Sequence, residues 1–150
     1  MQMPIMTGII DFSGDGCFFE DGTPMTTMTA TNTLTDTAKR FIQQLLYGAA
    51  PSGTTELWYY SIGSGVGATY ASMNKLQAEH TDGWTNMSAT RTRSDKTNMF
   101  TISAPSGVYT GKWGEIGVFF KSGELFARSN FPLFTKAGDG SVTARYRFIY

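Results

Sequence analysis

The stretch that decides the fold is Trp113-Gly-Glu-Ile-Gly-Val-Phe-Phe-Lys-Ser-Gly-Glu-Leu-Phe-Ala-Arg128, together with the terminus Ser141-Val-Thr-Ala-Arg-Tyr-Arg-Phe-Ile-Tyr150. Ile116, Val118 and Phe120 alternate, Lys121 to Glu124 supplies a turn containing a glycine, and an extended run restarts at Leu125, which reads as an antiparallel hairpin. In the terminus Val142, Ala144, Tyr146, Phe148 and Tyr150 share one face, while Thr143, Arg145 and Arg147 share the other. That period of two belongs to a half-buried strand. Working outward, Leu57 to Ile62 reads as a buried strand, and Ser88 to Arg93 and Asn98 to Ser103 as a hairpin around Ser94-Asp-Lys-Thr97.

One helix interrupts the strands. Leu34, Ala38, Phe41, Ile42, Leu45 and Leu46 recur at helical spacing and predict a helix over Thr35 to Tyr47, capped by Thr33 or Thr35 and ended by Gly48. The segment Ala68 to His80 reads either as a second, weaker helix or as a long loop. Six or seven strands joined by short turns predict a mainly β domain, an antiparallel sandwich or barrel of jelly-roll-like form with one flanking helix. Residues 1–32 show no lasting period. Two turn signals, Ser13 to Gly16 and Glu20 to Pro24, flank Cys17-Phe-Phe19. This segment is expected to be an extended N-terminal arm ahead of a single domain at 33–150, docking onto a partner through Met1, Met3, Ile5, Met6, Ile9, Ile10, Phe12, Phe18, Phe19, Met25 and Met28.

The chain has 150 residues, enough to bury roughly two thirds of its unfolded surface in one core. Twelve basic residues balance twelve acidic ones, so nothing supplies the cationic excess that phosphate binding needs, and nucleic acid is not an expected partner. Arg91, Arg93 and Lys96, the nearest basic cluster, sit beside Asp95 and read as a solvated face. Only 16% of the residues are charged, a low value for a lone domain and one that suits a surface covered by neighbours. The single Cys17 excludes an intrachain disulfide and reads as a small buried thiol. No leader or membrane-length apolar run is evident, so no membrane partner is expected.

The motifs that suggest chemistry have weak contexts. Ile62-Gly-Ser-Gly-Val-Gly-Ala68 matches a relaxed dinucleotide fingerprint but lacks the βαβ surroundings; a glycine-rich loop is expected. Asp11 to Gly16 resembles half of a calcium loop with Gly22 where the bidentate Glu belongs, so a turn is expected there. His80 is the only histidine and reads as a polar surface residue beside Glu79 and Asp82. No catalytic residue, metal ligand or cofactor site is assigned, and no enzyme is expected. Glu115, set between Trp113 and Ile116, is the most notable acid. It is expected to form a structural pair with Arg128 across the hairpin, with an intersubunit contact or chemistry as the alternatives.

The ordered set Gln44-Leu-Leu-Tyr-Gly48, Ile62 to Gly65, Leu76 to Glu79, Glu115 to Phe120, Gly123 to Arg128 and the closing strand resembles small structural proteins of tailed-bacteriophage virions. The resemblance covers roughly Asn32 to Tyr150 and implies an assembled, non-enzymatic role. Within it, a capsid decoration or cement protein on the virion surface is expected, made in the bacterial host cytoplasm. Its expected partners are the major capsid protein and copies of itself, in a homotrimer. It would stabilise an expanded shell by many weak repeated contacts. The alternatives are a tail, collar or fibre-attachment subunit and, from another class, a carbohydrate-binding module using Trp58, Tyr60, Trp84 or Trp113. Glycan binding is the least expected of these, because alternation splits Trp58 and Tyr60 from Tyr59.

Overall fold

The computed structural model describes residues 7–47, 57–87 and 90–149. The order of elements is β1 (Thr7–Phe19), β2 (Thr27–Thr31), β3 (Thr33–Leu34), α1 (Asp36–Leu46), β4 (Leu57–Gly63), β5 (Glu79–Asn86), β6 (Arg91–Ser94), β7 (Thr97–Ala104), β8 (Gly111–Phe120) and β9 (Leu125–Ile149). Every pairing between these strands is antiparallel. The path runs β2-β1-β9-β8-β4-β5, with β3 and β7 also on β9 and β6 on β7. The result is an open, sandwich-like antiparallel fold with one helix among the described residues.

The 25-residue β9 is the spine. Its first half pairs with β8, from Phe119↔Leu125 to Gly111↔Lys136, and its second half pairs with β7, from Ala104↔Val142 to Thr97↔Ile149. β1 follows the other side of β9 from Phe134 to Ile149. A straight strand would hold Phe126 and Phe148 about 70 Å apart at ~3.3 Å per residue, yet their rings lie 5.5 Å apart, edge to face. β9 therefore bends back so that its two halves face each other across one core. The corner is built from glycine. Gly16 has φ +68°, β1 shifts register between Asp15 and Cys17, and a Cβ on Gly140 would lie 2.6 Å from the Gly16 carbonyl oxygen. Only two residues without side chains let β1 and β9 turn together there.

The core follows the alternation. Val142, Ala144, Tyr146 and Phe148 point inward against Ile10 and Phe12 of β1 and Phe100, Ile102 and Ala104 of β7. Ile116, Val118, Phe120 and Phe126 come from the other half. α1 adds Ala38 and Phe41, whose ring lies 4.9 Å from Phe120. Thr35 caps α1: its Oγ1 accepts from the Ala38 N–H at 3.2 Å and donates to the Leu125 carbonyl at 2.6 Å. One buried hydroxyl thus satisfies an orphan amide and ties the helix to β9. The proposed stop at Gly48 lies outside the described residues.

The expected arm needs correction. Residues 7–31 are β1 and β2 of the same sheet, and Ile10, Phe12, Cys17 and Met25 are buried in the common core. No boundary falls at 32, where the Asn32 side chain abuts Gly8. The bulge at Gly16 hid the strand: it moves the inward positions from Ile10 and Phe12 to Cys17, so no single period spans the segment. Ile9, Phe19 and Met28 are half-buried and Phe18 is exposed, whereas Met1, Met3, Ile5 and Met6 lie outside the described residues.

Candidate functional site

Glu115 and Arg128 organise the most distinctive region. Position 115 pairs with Asn130 and position 117 with Arg128, so the two side chains meet diagonally on one face of the hairpin. Both are fully buried, with Arg128 Nε donating to Glu115 Oε1 at 2.9 Å. The carboxylate is saturated: Oε1 also accepts from the Gln77 N–H, and Oε2 accepts from the Gly65 and Ala78 N–H groups, each at 2.8 Å. Arg128 Nη1 donates to the Gly67 carbonyl at 2.8 Å and to Thr69 Oγ1 at 2.7 Å, and Nη2 reaches the Gly65 carbonyl at 3.4 Å. Burial pushes the Glu115 carboxyl up, but the Arg128 guanidinium and the Ala78, Gln77 and Gly65 amides outweigh it and hold the group below its ordinary 4.5.

The pair locks the segment 64–78 against the β8–β9 hairpin. This explains the alternate glycines of Ile62 to Ala68: a Cβ at Gly65 would collide with Glu115 Oε2. The segment is a loop. Its preceding strand β4 is antiparallel to both neighbours, and the amides that a dinucleotide site would offer to phosphate are already engaged: Ser64 N–H donates to the Ala78 carbonyl, Gly65 N–H to Glu115 Oε2 and Gly67 N–H to Gln77 Oε1. Met73 and Leu76 anchor the loop on Phe119 and Leu125. Val66 and Tyr70 stand out from it, 60% and 59% exposed. Beside Val66 lies an open concavity of about 500 Å³ lined by Glu20, Asn130, Phe131, Pro132 and Leu133.

The other candidates take no part in the lock. His80 Nδ1 accepts from the Asp82 N–H at 3.0 Å, so Nε2 donates to the Thr110 carbonyl at 2.7 Å. Cys17 is buried, and desolvation raises its thiol above the ordinary value, the opposite of an activated nucleophile. Asp11 and Asp15 lie along extended β1, where Asp11 pairs with Arg147 at 2.8 Å. Arg91 and Arg93 are exposed on β6. Arg91 and Lys121 both lie over the Trp58 ring, at 5.2 and 4.5 Å from its centroid.

The proposed sugar platform loses two of its members. Tyr60 and Trp113 are buried, Trp113 donating to the Tyr109 carbonyl at 2.7 Å. Trp84 is 40% exposed but stacks on Phe119 at 4.1 Å.

Sequence reading missed the partners of the lock in 64–78 and the corner glycines. The signal available for the first was the spacing of Gly63, Gly65 and Gly67, which allows close approach on one side of an extended segment. No protein-family model, curated protein or solved structure matches the chain. No helix among the described residues is long and apolar enough to cross a membrane.

Proposed function

We propose that the chain is a non-enzymatic structural protein of a tailed-phage virion, a capsid decoration protein that binds the major capsid protein and copies of itself. The observation that carries this reading is the use made of the buried charges. Glu115, the acid best placed for chemistry, has all its acceptor capacity engaged in fixing a loop that holds Val66 and Tyr70 outward. A rigid apolar display on a weakly charged surface suits a repeated contact with neighbours: each contact is modest, and a lattice multiplies it. The resemblance of the ordered motifs to phage structural proteins supports the same reading. Because residues 7–31 are part of the sheet, the proposed contact surface moves from a free arm to the 64–78 loop and the adjoining concavity.

The test is co-sedimentation of the purified protein with expanded capsids that lack it. Wild-type protein should pellet with the shells, and V66D/Y70D should stay in the supernatant with its circular dichroism unchanged. Equal occupancy by the variant would remove the loop from the contact; no binding of wild type to any shell would remove decoration. A tail, collar or fibre-attachment subunit remains the second reading, since the same display would serve there.

A further inference from the structure

The pleat that separates Tyr59 from Trp58 and Tyr60 turns it toward a tryptophan of the next strand. Tyr59 of β4 pairs with Asn86 of β5, and Ser61 with Trp84, so Tyr59 and Trp84 are diagonal neighbours on one face of the sheet. Their rings lie 5.6 Å apart at 43°. Ser61 and Gly117, paired with each other, are small, and Trp84 leans across them from β5 onto Phe119 of β8.

Three contacts fix the indole. One face stacks on the buried Phe119 ring at 4.1 Å and 25°. Nε1 donates to Glu79 Oε1 at 2.5 Å. Gly123 of the β8–β9 turn, at φ +97°, lies beside the ring, where an added Cβ would be 3.6 Å away. Because the Phe119 side is covered, the exposure of Trp84 belongs to the opposite face and the edge. A side chain pinned in this way offers a flat apolar surface that needs no further ordering on binding. Glu79 is exposed, and its carboxylate has acceptor capacity beyond the indole bond. It also borders a concavity of about 290 Å³ lined by Ser64, His80, Thr81, Thr110 and Lys112.

We propose that this is a glycan-binding site: a glucose-configured hexose stacks the C–H face of its ring on Trp84, beside Tyr59, and its hydroxyls bond to the Glu79 carboxylate and to groups of the adjoining concavity. A pyranose with equatorial hydroxyls is apolar on its faces and rich in donors and acceptors at its rim. One bare indole edged by a carboxylate complements that pattern. A cation would also be drawn to an aromatic face beside an acid, but the Lys112 ammonium in the same concavity opposes it, whereas the serine and threonine hydroxyls there suit a sugar. The inference rests on β4 and β5 and does not depend on the proposed virion role.

The experiment is an NMR titration of the full chain with methyl β-D-glucopyranoside and with cellotetraose, up to about 20 mM, a range that reaches millimolar affinity. Sorbitol, which has the hydroxyls but no ring face, is the control. Both glucosides should give saturable shifts centred on the Trp84 indole N–H, with saturation transfer strongest to the protons of one ring face, and sorbitol should give neither. Trp84→Met keeps an apolar cover on Phe119 but removes the flat face; it should stay folded by circular dichroism and lose the saturation transfer. Glu79→Gln keeps an acceptor for the indole and should weaken binding about tenfold. Absence of a saturable shift with either glucoside, unchanged binding by Glu79→Gln or by folded Trp84→Met, or a response to tetramethylammonium but to neither glucoside would overturn the proposal.

Discussion

Replacing Glu115 by Gln tests the lock most sharply, because the size of the loss follows from the bonding pattern. Oε1 serves the Gln77 N–H and Arg128, and Oε2 serves the Gly65 and Ala78 N–H groups. Whichever position the new amide nitrogen takes, two buried donors lose their acceptor. At about 1–3 kcal/mol for each orphaned group, the cost is about 2–6 kcal/mol. That agrees with the ~3–5 kcal/mol expected when one partner of a buried ion pair is removed, and it is a large part of the ~5–15 kcal/mol that stabilises a typical domain. Arg128→Met should cost a comparable ~3–5 kcal/mol, since it leaves the buried carboxylate without its counter-charge and the Gly65 and Gly67 carbonyls without their guanidinium donor.

Denaturant unfolding followed by tryptophan fluorescence measures the loss, and hydrogen exchange at Gly65, Gln77 and Ala78 localises it. The pH profile supplies a second reading. The folded carboxyl titrates below its ordinary value, so its contribution is present above about pH 4.5 and disappears as pH falls through the folded value. Glu115→Gln should lack this acid-side loss, and Arg128→Met should show it at higher pH. An Glu115→Gln variant within about 1 kcal/mol of wild type, with the three amides still protected, would refute the reasoning.

Three further outcomes follow from buried groups and the corner. Lys136 is fully buried with Nζ donating to the Pro105 carbonyl at 2.9 Å, and burial lowers its pKa against the opposing pull of Cys17, Asp139 and Asp82. Stability should therefore rise as pH increases from the folded value toward 10.5, and Lys136→Met should flatten that rise in denaturant midpoints followed up to pH 10.5. Burial pushes Tyr109 up to about 12, with the Thr85 hydroxyl pulling the other way. Its contribution is present below pH 10 and lost as pH rises toward 12, so Tyr109→Phe should lessen alkaline unfolding while costing about 1–3 kcal/mol at neutral pH through the lost bond to the Gly83 carbonyl. Gly140→Ala should lower the melting temperature sharply, because its Cβ meets the Gly16 carbonyl oxygen, whereas Gly138→Ala, with open space around it, should be close to neutral in the same thermal scan.

The parts of the fold that were legible in the sequence are those with an unbroken period. The terminal strand alternates cleanly because one of its faces lies on the core, beside the inward residues of its paired neighbours β1 and β7, and the helix shows its stripe because Ala38 and Phe41 bury on one side. β1 was not legible, since the Gly16 bulge changes which residues point inward partway along it. β5 was equally obscure: Glu79 to Asn86 is polar and half-exposed, and it is a strand because Tyr59, Tyr60 and Ser61 pair with Asn86, Thr85 and Trp84. The stretch between the expected hairpin and terminal strand, Asn130 to Gly140, continues β9 without a break, held by β8 and the far end of β1. At the site, hairpin geometry brings Glu115 to Arg128, but the backbone groups that saturate the pair come from 64–78, and no side-chain pattern encodes a carbonyl or an amide.

The most direct test of the proposed virion role is quantitative mass spectrometry of tailed-phage particles purified from the source of the chain, referenced to the major capsid protein. The account predicts this protein in fixed stoichiometry with the capsid subunit, as a shell component. A trace amount confined to the tail would contradict decoration and favour the attachment reading, and absence from every particle would contradict the virion role altogether.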